Sequence, residues 1–111
     1  MSQTHLLIRI TALFLTLAVV GCYRKVEQEI VVHVPKMQSA ACFRVIQESL
    51  RGLEQVKSAT ADYEQRTITV RYDSEKLARR NIEYVIAGVG FAANDLPANP
   101  DAAKQLPDEC K

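Results

Sequence analysis

Apolar residues recur at regular spacing from residue 29 to residue 96, and the spacing changes four times. Ile30, Val32 and Val34 alternate with Val31 and His33, which predicts a first strand over residues 29–34 with the first set facing a core. Pro35 has no N–H to donate and ends that ladder. The spacing then becomes helical. Phe43, Val45, Ile46, Leu50 and Leu53 make one broad apolar face, predicting a helix from about Ala40 to Leu53 with Ser39 as N-cap and Gly52 near its end. Residues 56–63 and 67–73 flank Glu64-Gln65-Arg66 and read as a hairpin, with Ile68, Val70 and Tyr72 on one face of its second strand. Helical spacing returns in Leu77, Ile82, Val85 and Ile86, predicting a second helix from Ser74, as cap, to Ala87. Gly88-Val89-Gly90 stops it, and Phe91 to Leu96 reads as a short fourth strand.

The order is β-α-β-β-α-β. It predicts an α+β, ferredoxin-like domain over residues 29–96, a four-stranded antiparallel sheet with two helices on one face. Residues 97–111 are punctuated by Pro97, Pro100 and Pro107 and read as a tail outside the core.

The N-terminal segment follows a different plan. Arg9, the apolar run Ile10 to Val20, and Gly21-Cys22 have the layout of a secretory signal, residues 1–21, too short for a comfortable membrane span. Val19-Val20-Gly21-Cys22 resembles a bacterial lipobox, which implies lipidation of Cys22, a tether over residues 22–28, and a lipid-anchored place in the cell envelope facing the periplasm or exterior. Tyr23 rather than Asp follows, so an outer-membrane place fits if the cell is Gram-negative.

Charge and composition then narrow the function. The chain has 14 Lys and Arg and 13 Asp and Glu; without Arg9 the exported part is formally neutral. No basic stripe is present, so nucleic acid is not an expected partner. No Ser/His/Asp set, paired acids on one helix face or Gly-rich phosphate loop points to an enzyme. Of three cysteines, Cys42 and Cys110 remain once Cys22 is assigned to lipid. In an oxidising compartment they are a disulfide, a metal-binding or reactive pair, or a loop thiol and a tail thiol available to another chain. Cys42 falls in the first turn of the first helix, where backbone N–H groups favour a thiolate. About 14 residue steps separate Leu96 from Cys110, up to roughly 45–50 Å of extended chain, so Cys110 can reach the Cys42 loop.

Val32-His33-Val34 followed by Met37, then Cys42, Gly52-Leu53-Glu54-Gln55-Val56, Thr67-Ile68-Thr69-Val70-Arg71-Tyr72-Asp73 and Ile82 through Gly90-Phe91 resemble the heavy-metal-associated domain family. That is the fold of copper chaperones and of the periplasmic mercury-binding protein. Cys42 fits the second cysteine of the family's Met-x-Cys-x-x-Cys motif, the first falls on Ser39, and Lys36 replaces the Gly before Met37. The resemblance implies a domain that binds Cu(I), Hg(II) or Zn(II) and passes it to a metal transporter or another such domain. Soft cations favour two thiolates, and a Ser hydroxyl is a poor substitute. Cys42 and Cys110 are therefore the candidate donors, with a homodimer bridged through two Cys42 residues as the alternative. Met37, Ser39 and Phe91 support the loop: Met37 as a core residue, Ser39 as a helix cap, and Phe91 as the family's shielding aromatic or ordinary core. Two other readings stay open. The fold could be an interaction domain with a lost metal site, or a thiol redox module using Cys42 and Cys110.

Overall fold

The computed structural model describes residues 27–111. The signal segment, Cys22 and most of the tether lie outside the described residues.

Strand β1, Glu27–His33, begins two residues before the predicted start, so the end of the expected tether is already strand. Pairing explains this: Glu27 lies opposite Asp73 and Gln28 opposite Tyr72, so β3 is long enough to hold them. Helix α1 spans Ala40–Arg51, strand β2 Val56–Asp62 and strand β3 Thr67–Asp73. The sheet is antiparallel in the order β1-β3-β2. Val32, Ile68, Val70 and Tyr72 point into the core, and Val31 points out at 54% exposure, as the period-two pattern requires. In β2 a register shift between Val56 and Ser58 resets the phase, so Val56, Ala59 and Ala61 all pack inward.

Helix α2 covers Arg79–Gly88, not a span from Ser74. Asp73 accounts for the difference: its carboxylate accepts from the Glu75 N–H at 3.0 Å and its carbonyl from Leu77 N–H at 3.1 Å. Those bonds hold residues 74–77 in turns and delay the helix, an Asx-type competition with helical bonding.

Among the described residues the sheet has three strands rather than four. The segment after α2 makes one isolated bridge with itself, Ala93 to Leu96, and among the described residues hydrogen-bonds to β1 only at His33. Asn94 donates its N–H to the His33 carbonyl at 2.8 Å and accepts the His33 N–H on Oδ1 at 2.9 Å. It does so at φ +53, a left-handed conformation that Asn tolerates better than most residues and that turns the chain away from the edge. One residue thus replaces a strand. Its Nδ2 also donates to buried Glu83, which pairs with Arg80 at 2.8 Å, tying the turn to α2.

After Leu96 the chain returns to the core at Leu106 and Cys110, where a tail outside the core was expected. Helix α3, Pro100–Lys104, is capped by Asn99 Oδ1, which accepts from Asp101 and Ala102 N–H, with Pro100 in the first turn. Asn99 N–H donates to the Ala87 carbonyl at 2.9 Å. Gly90, at φ +110, lets α3 lie against it; a Cβ there would stand 2.8 Å from the Ala103 nitrogen. Leu106 and Cys110 then enter the core with Val34, Met37, Ile46 and Phe91. Apolar content at those two positions, spaced by a turn, overrode the prolines.

Candidate functional site

The loop between β1 and α1 is built by local bonds. Val34 N–H reaches the Arg66 carbonyl at 2.8 Å, and Met37 N–H the Val34 carbonyl at 3.1 Å. Arg66 also donates from its guanidinium to the Pro35 carbonyl at 2.9 Å. This turn drives Met37 fully into the core, as expected from sequence, and brings Ser39 to the N-cap position of α1.

Ser39 has the extended backbone of a cap, but its hydroxyl does not cap the helix. It lies 3.4 Å from Cys42 Sγ. Cys42 is disulfide-bonded to Cys110, so its sulfur carries no hydrogen and the Ser39 hydroxyl is the donor. The first-turn N–H groups of α1 are therefore not taken up by the Ser39 side chain.

The disulfide joins residues 68 positions apart, with Cα atoms 5.6 Å from each other. Of the three outcomes left open for the two cysteines, the structure holds the disulfide. Both cysteines have no exposed surface, and both belong to the same apolar cluster as Met37, Phe91 and Leu106. A short 3₁₀ turn, Asp108–Cys110, delivers Cys110, with its N–H donating to the Pro107 carbonyl at 2.8 Å. Phe91 is fully buried in the same cluster, as ordinary core packing requires. His33 is exposed, and its backbone is engaged by Asn94.

As a disulfide the pair presents no thiolate. Among the described residues no cluster of three or more His, Cys, Asp or Glu is placed to hold an ion. The oxidised form therefore does not fit a soft cation. Two-electron reduction would leave two thiolates on neighbouring backbone positions, which is the donor set a two-coordinate soft cation takes.

Sequence reading missed two residues that set the path of the closing segment, Asn94 at the sheet edge and Asn99 at the start of α3. Asn94 gives no periodic signal, because a single clamp has no period. Asn99 was legible: Asn-Pro-Asp has a cap residue, Pro at the first helical position and an acid in the first turn, and it marks a helix that carries the chain toward Cys110.

The sequence profile of the heavy-metal-associated domain matches residues 31–91, more than half of the chain. The chain belongs to the heavy-metal-associated domain family. Solved structures share its fold. Oxidised MerP from Ralstonia metallidurans CH34 is 22% identical with a TM-score of 0.57, over 61% of this chain and 94% of MerP. The CopZ metallochaperone is 23% identical with a TM-score of 0.57, over 60% of this chain and 98% of CopZ. At such identity these two likenesses speak for the fold alone. A copper-binding domain from HMA7, a P-type ATPase, is 27% identical with a TM-score of 0.56, over 60% of this chain and 89% of that domain. No curated protein matches the sequence. The profile ends at Phe91, so α3, Leu106 and Cys110 fall outside the stretch matched to the family.

Proposed function

We propose that this chain is a membrane-tethered, extracytoplasmic carrier of a soft cation, Cu(I), Hg(II) or Zn(II), with Cys42 and Cys110 as its donor pair when reduced. The observation that carries the reading is the meeting of those two sulfurs. The family's metal loop lacks its first cysteine, which falls on Ser39, and the fold supplies a second sulfur from 68 positions away. The copper-binding domain of HMA7, 27% identical, supports a binding role rather than catalysis. A metal transporter or a second domain of this family is the partner such a carrier serves.

The tether follows from the sequence reading of Cys22. It lies five positions before Glu27, where β1 starts. The seven residues of β1 rise by about 20 Å toward the Cys42 loop. A lipid on Cys22 would thus place the membrane at one end of β1 and the cysteine pair at the other.

Complete burial of both cysteines favours a second reading, an interaction domain whose former metal loop has become a staple. Native mass spectrometry separates the two. The full chain carrying Cys22→Ser is reduced and titrated with Cu(I), Hg(II) and Zn(II), beside the same chain with Cys42→Ala or Cys110→Ala. One ion per chain, lost in either variant, is the expected result. One ion per two chains, lost only in Cys42→Ala, would assign a bridged dimer. No ion bound leaves the staple reading.

A further inference from the structure

A surface cavity of about 270 Å³ opens beside the disulfide. Its floor is Gly90, Ala103, Leu106 and Cys110, and its rim carries Lys36, Lys104 and Lys111. Lys111 is paired with Asp108 at 3.5 Å. Lys36 and Lys104 are exposed, and neither has an ion-pair partner among the described residues. No acidic side chain among the described residues lines the cavity. Two of its features depend on one another: Gly90 has no side chain and α3 rests on it, which brings Lys104 to the rim and leaves an apolar floor.

A cavity with a cationic rim, an apolar floor and one half of a disulfide at its base has a definite chemistry. The rim favours an anion, and the floor takes a short aliphatic or thiol-bearing body. The two cysteines are also unequal. Cys110 lies directly under the cavity wall, covered in the resting structure, whereas Cys42 does not line it. Cys42 sits in the first turn of α1 with the Ser39 hydroxyl 3.4 Å from its sulfur, so it is the better leaving group.

We propose that this cavity is a binding site for a small anionic thiol, which opens the disulfide by attacking Cys110 Sγ with Cys42 as the leaving thiolate. The thiolate forms a new S–S bond to Cys110 as the Cys42–Cys110 bond breaks, and Cys42 departs with the electron pair, held by Ser39 Oγ–H and the first turn of α1. A second molecule of the thiol, also as thiolate, attacks the sulfur of the first. This releases Cys110 as a thiolate and the small molecule as its own disulfide. Two electrons pass from two thiols to the protein, and the thiol protons go to solvent. The site thus controls access to the donor pair assigned under the proposed function. It deepens that reading without needing metal for its test.

The test uses the full chain with Cys22→Ser, oxidised and metal-free. Rates of disulfide opening, expressed per thiolate, are compared for glutathione and 2-mercaptoethanesulfonate (anionic), 2-mercaptoethanol (neutral) and cysteamine (cationic). At low salt the anionic thiols are expected to exceed cysteamine about tenfold or more, with saturation for glutathione. The preference should collapse at about 0.5 M salt and in the Lys36→Ala/Lys104→Ala double variant, and return with Lys36→Arg/Lys104→Arg. Acid quenching and alkylation early in the reaction should locate the mixed disulfide on Cys110 and the alkyl group on Cys42. Equal per-thiolate rates for all four reagents, a preference untouched by the double variant, or an adduct on Cys42 would each overturn the proposal. Because no metal is present, these results stand apart from the titration above. Failure here leaves the donor pair untouched, and failure there leaves the thiol site untouched.

Discussion

The β2–β3 hairpin and the segment from Phe91 to Cys110 secure opposite edges of one sheet by different means. The hairpin is a ladder: six β2 residues have partners on β3, and Ile68, Val70 and Tyr72 repeat the same inward packing. No single bond in it is special. The closing segment has almost no ladder. It depends on one clamp at Asn94, one close approach at Gly90 and one covalent bond at Cys110. A distributed interface should lose stability in small steps, and one made of single contacts in large ones. Substitutions in each region put that contrast to the test.

The disulfide should show the largest effect. It closes a span of 68 positions, for which the chain-entropy argument gives about 4 kcal/mol, with measured losses more often about 2–4 kcal/mol. Reduction, or Cys110→Ala in a chain carrying Cys22→Ser, is expected to lower unfolding free energy by that amount in urea titrations. A hairpin substitution on the exposed side, Thr60→Ala, should cost less than about 0.5 kcal/mol. If removing the disulfide costs no more than Thr60→Ala, the closing segment is held by its apolar contacts and the contrast fails.

Gly90→Ala comes next. The residue sits at φ +110, and its Cβ would approach backbone atoms of Ala102 and Ala103 at 2.8–2.9 Å. The strained backbone alone is of order 1–3 kcal/mol, and α3 must also move. The two sites should be coupled. With the disulfide reduced, α3 can shift and relieve the clash, so Gly90→Ala should cost less in reduced than in oxidised protein, by about 0.5 kcal/mol or more in a double-perturbation cycle. Equal costs in both states would mean that α3 is held in place without Cys110.

Asn94→Ala should cost about 1–2 kcal/mol, since it removes the acceptor of the His33 N–H and the Nδ2 donor to Glu83. Its more specific mark is local. The His33 amide should exchange faster with deuterium, while the amides of β2 and β3 keep their protection. Uniform acceleration across the sheet would show that the clamp holds the whole fold rather than its edge.

The same contrast explains what could be read from sequence. Periodic elements declare themselves: β1, α1 and the hairpin are within two residues of the spacing that predicted them. Single contacts have no period. Phe91 to Leu96 has the composition of a strand, and nothing in its pattern says that Asn94 at φ +53 ends the pairing after one residue. Ser74 resembles a cap as well as Asp73 does, and only geometry shows that the Asp73 carboxylate takes the Glu75 amide. The cysteine pair lay between these cases. Counting cysteines left disulfide, metal pair and unrelated thiols all open, because distance along a flexible chain limits reach without choosing a partner. Leu106, Asn99 and Pro100 carried the missing information, as an anchor and a helix start that bring the chain back to Cys42.

The smallest expected effect concerns the outer part of the clamp. Arg80 bonds Glu83 and Asp95, each at 2.8 Å, and its guanidinium lies 5.6 Å from the Tyr84 ring. Hydrogen bonding to Arg80, and then its charge, hold the Asp95 carboxyl below its ordinary value of 3.8. Arg80 is itself shifted upward, by Asp95 first, and stays charged throughout the acid range. A carboxyl with a depressed folded value binds its proton more readily when unfolded. Its contribution is therefore complete above the ordinary value and is lost as pH falls through 3.8 toward the folded value. Asp95 is 78% exposed on its side chain, so the contribution is small and screened by salt. Asp95→Asn should thus be slightly less stable than the parent at neutral pH, with the gap closing at acid pH and in high salt, as read by thermal melts across that range. Asn94→Ala should keep its larger cost under the same conditions, because the bonds it removes to His33 and to buried Glu83 do not depend on the Asp95 carboxylate. If the two variants fade together on acidification, the edge is held by surface charge, and the buried Glu83–Asn94–His33 chain is not the element that replaces the fourth strand.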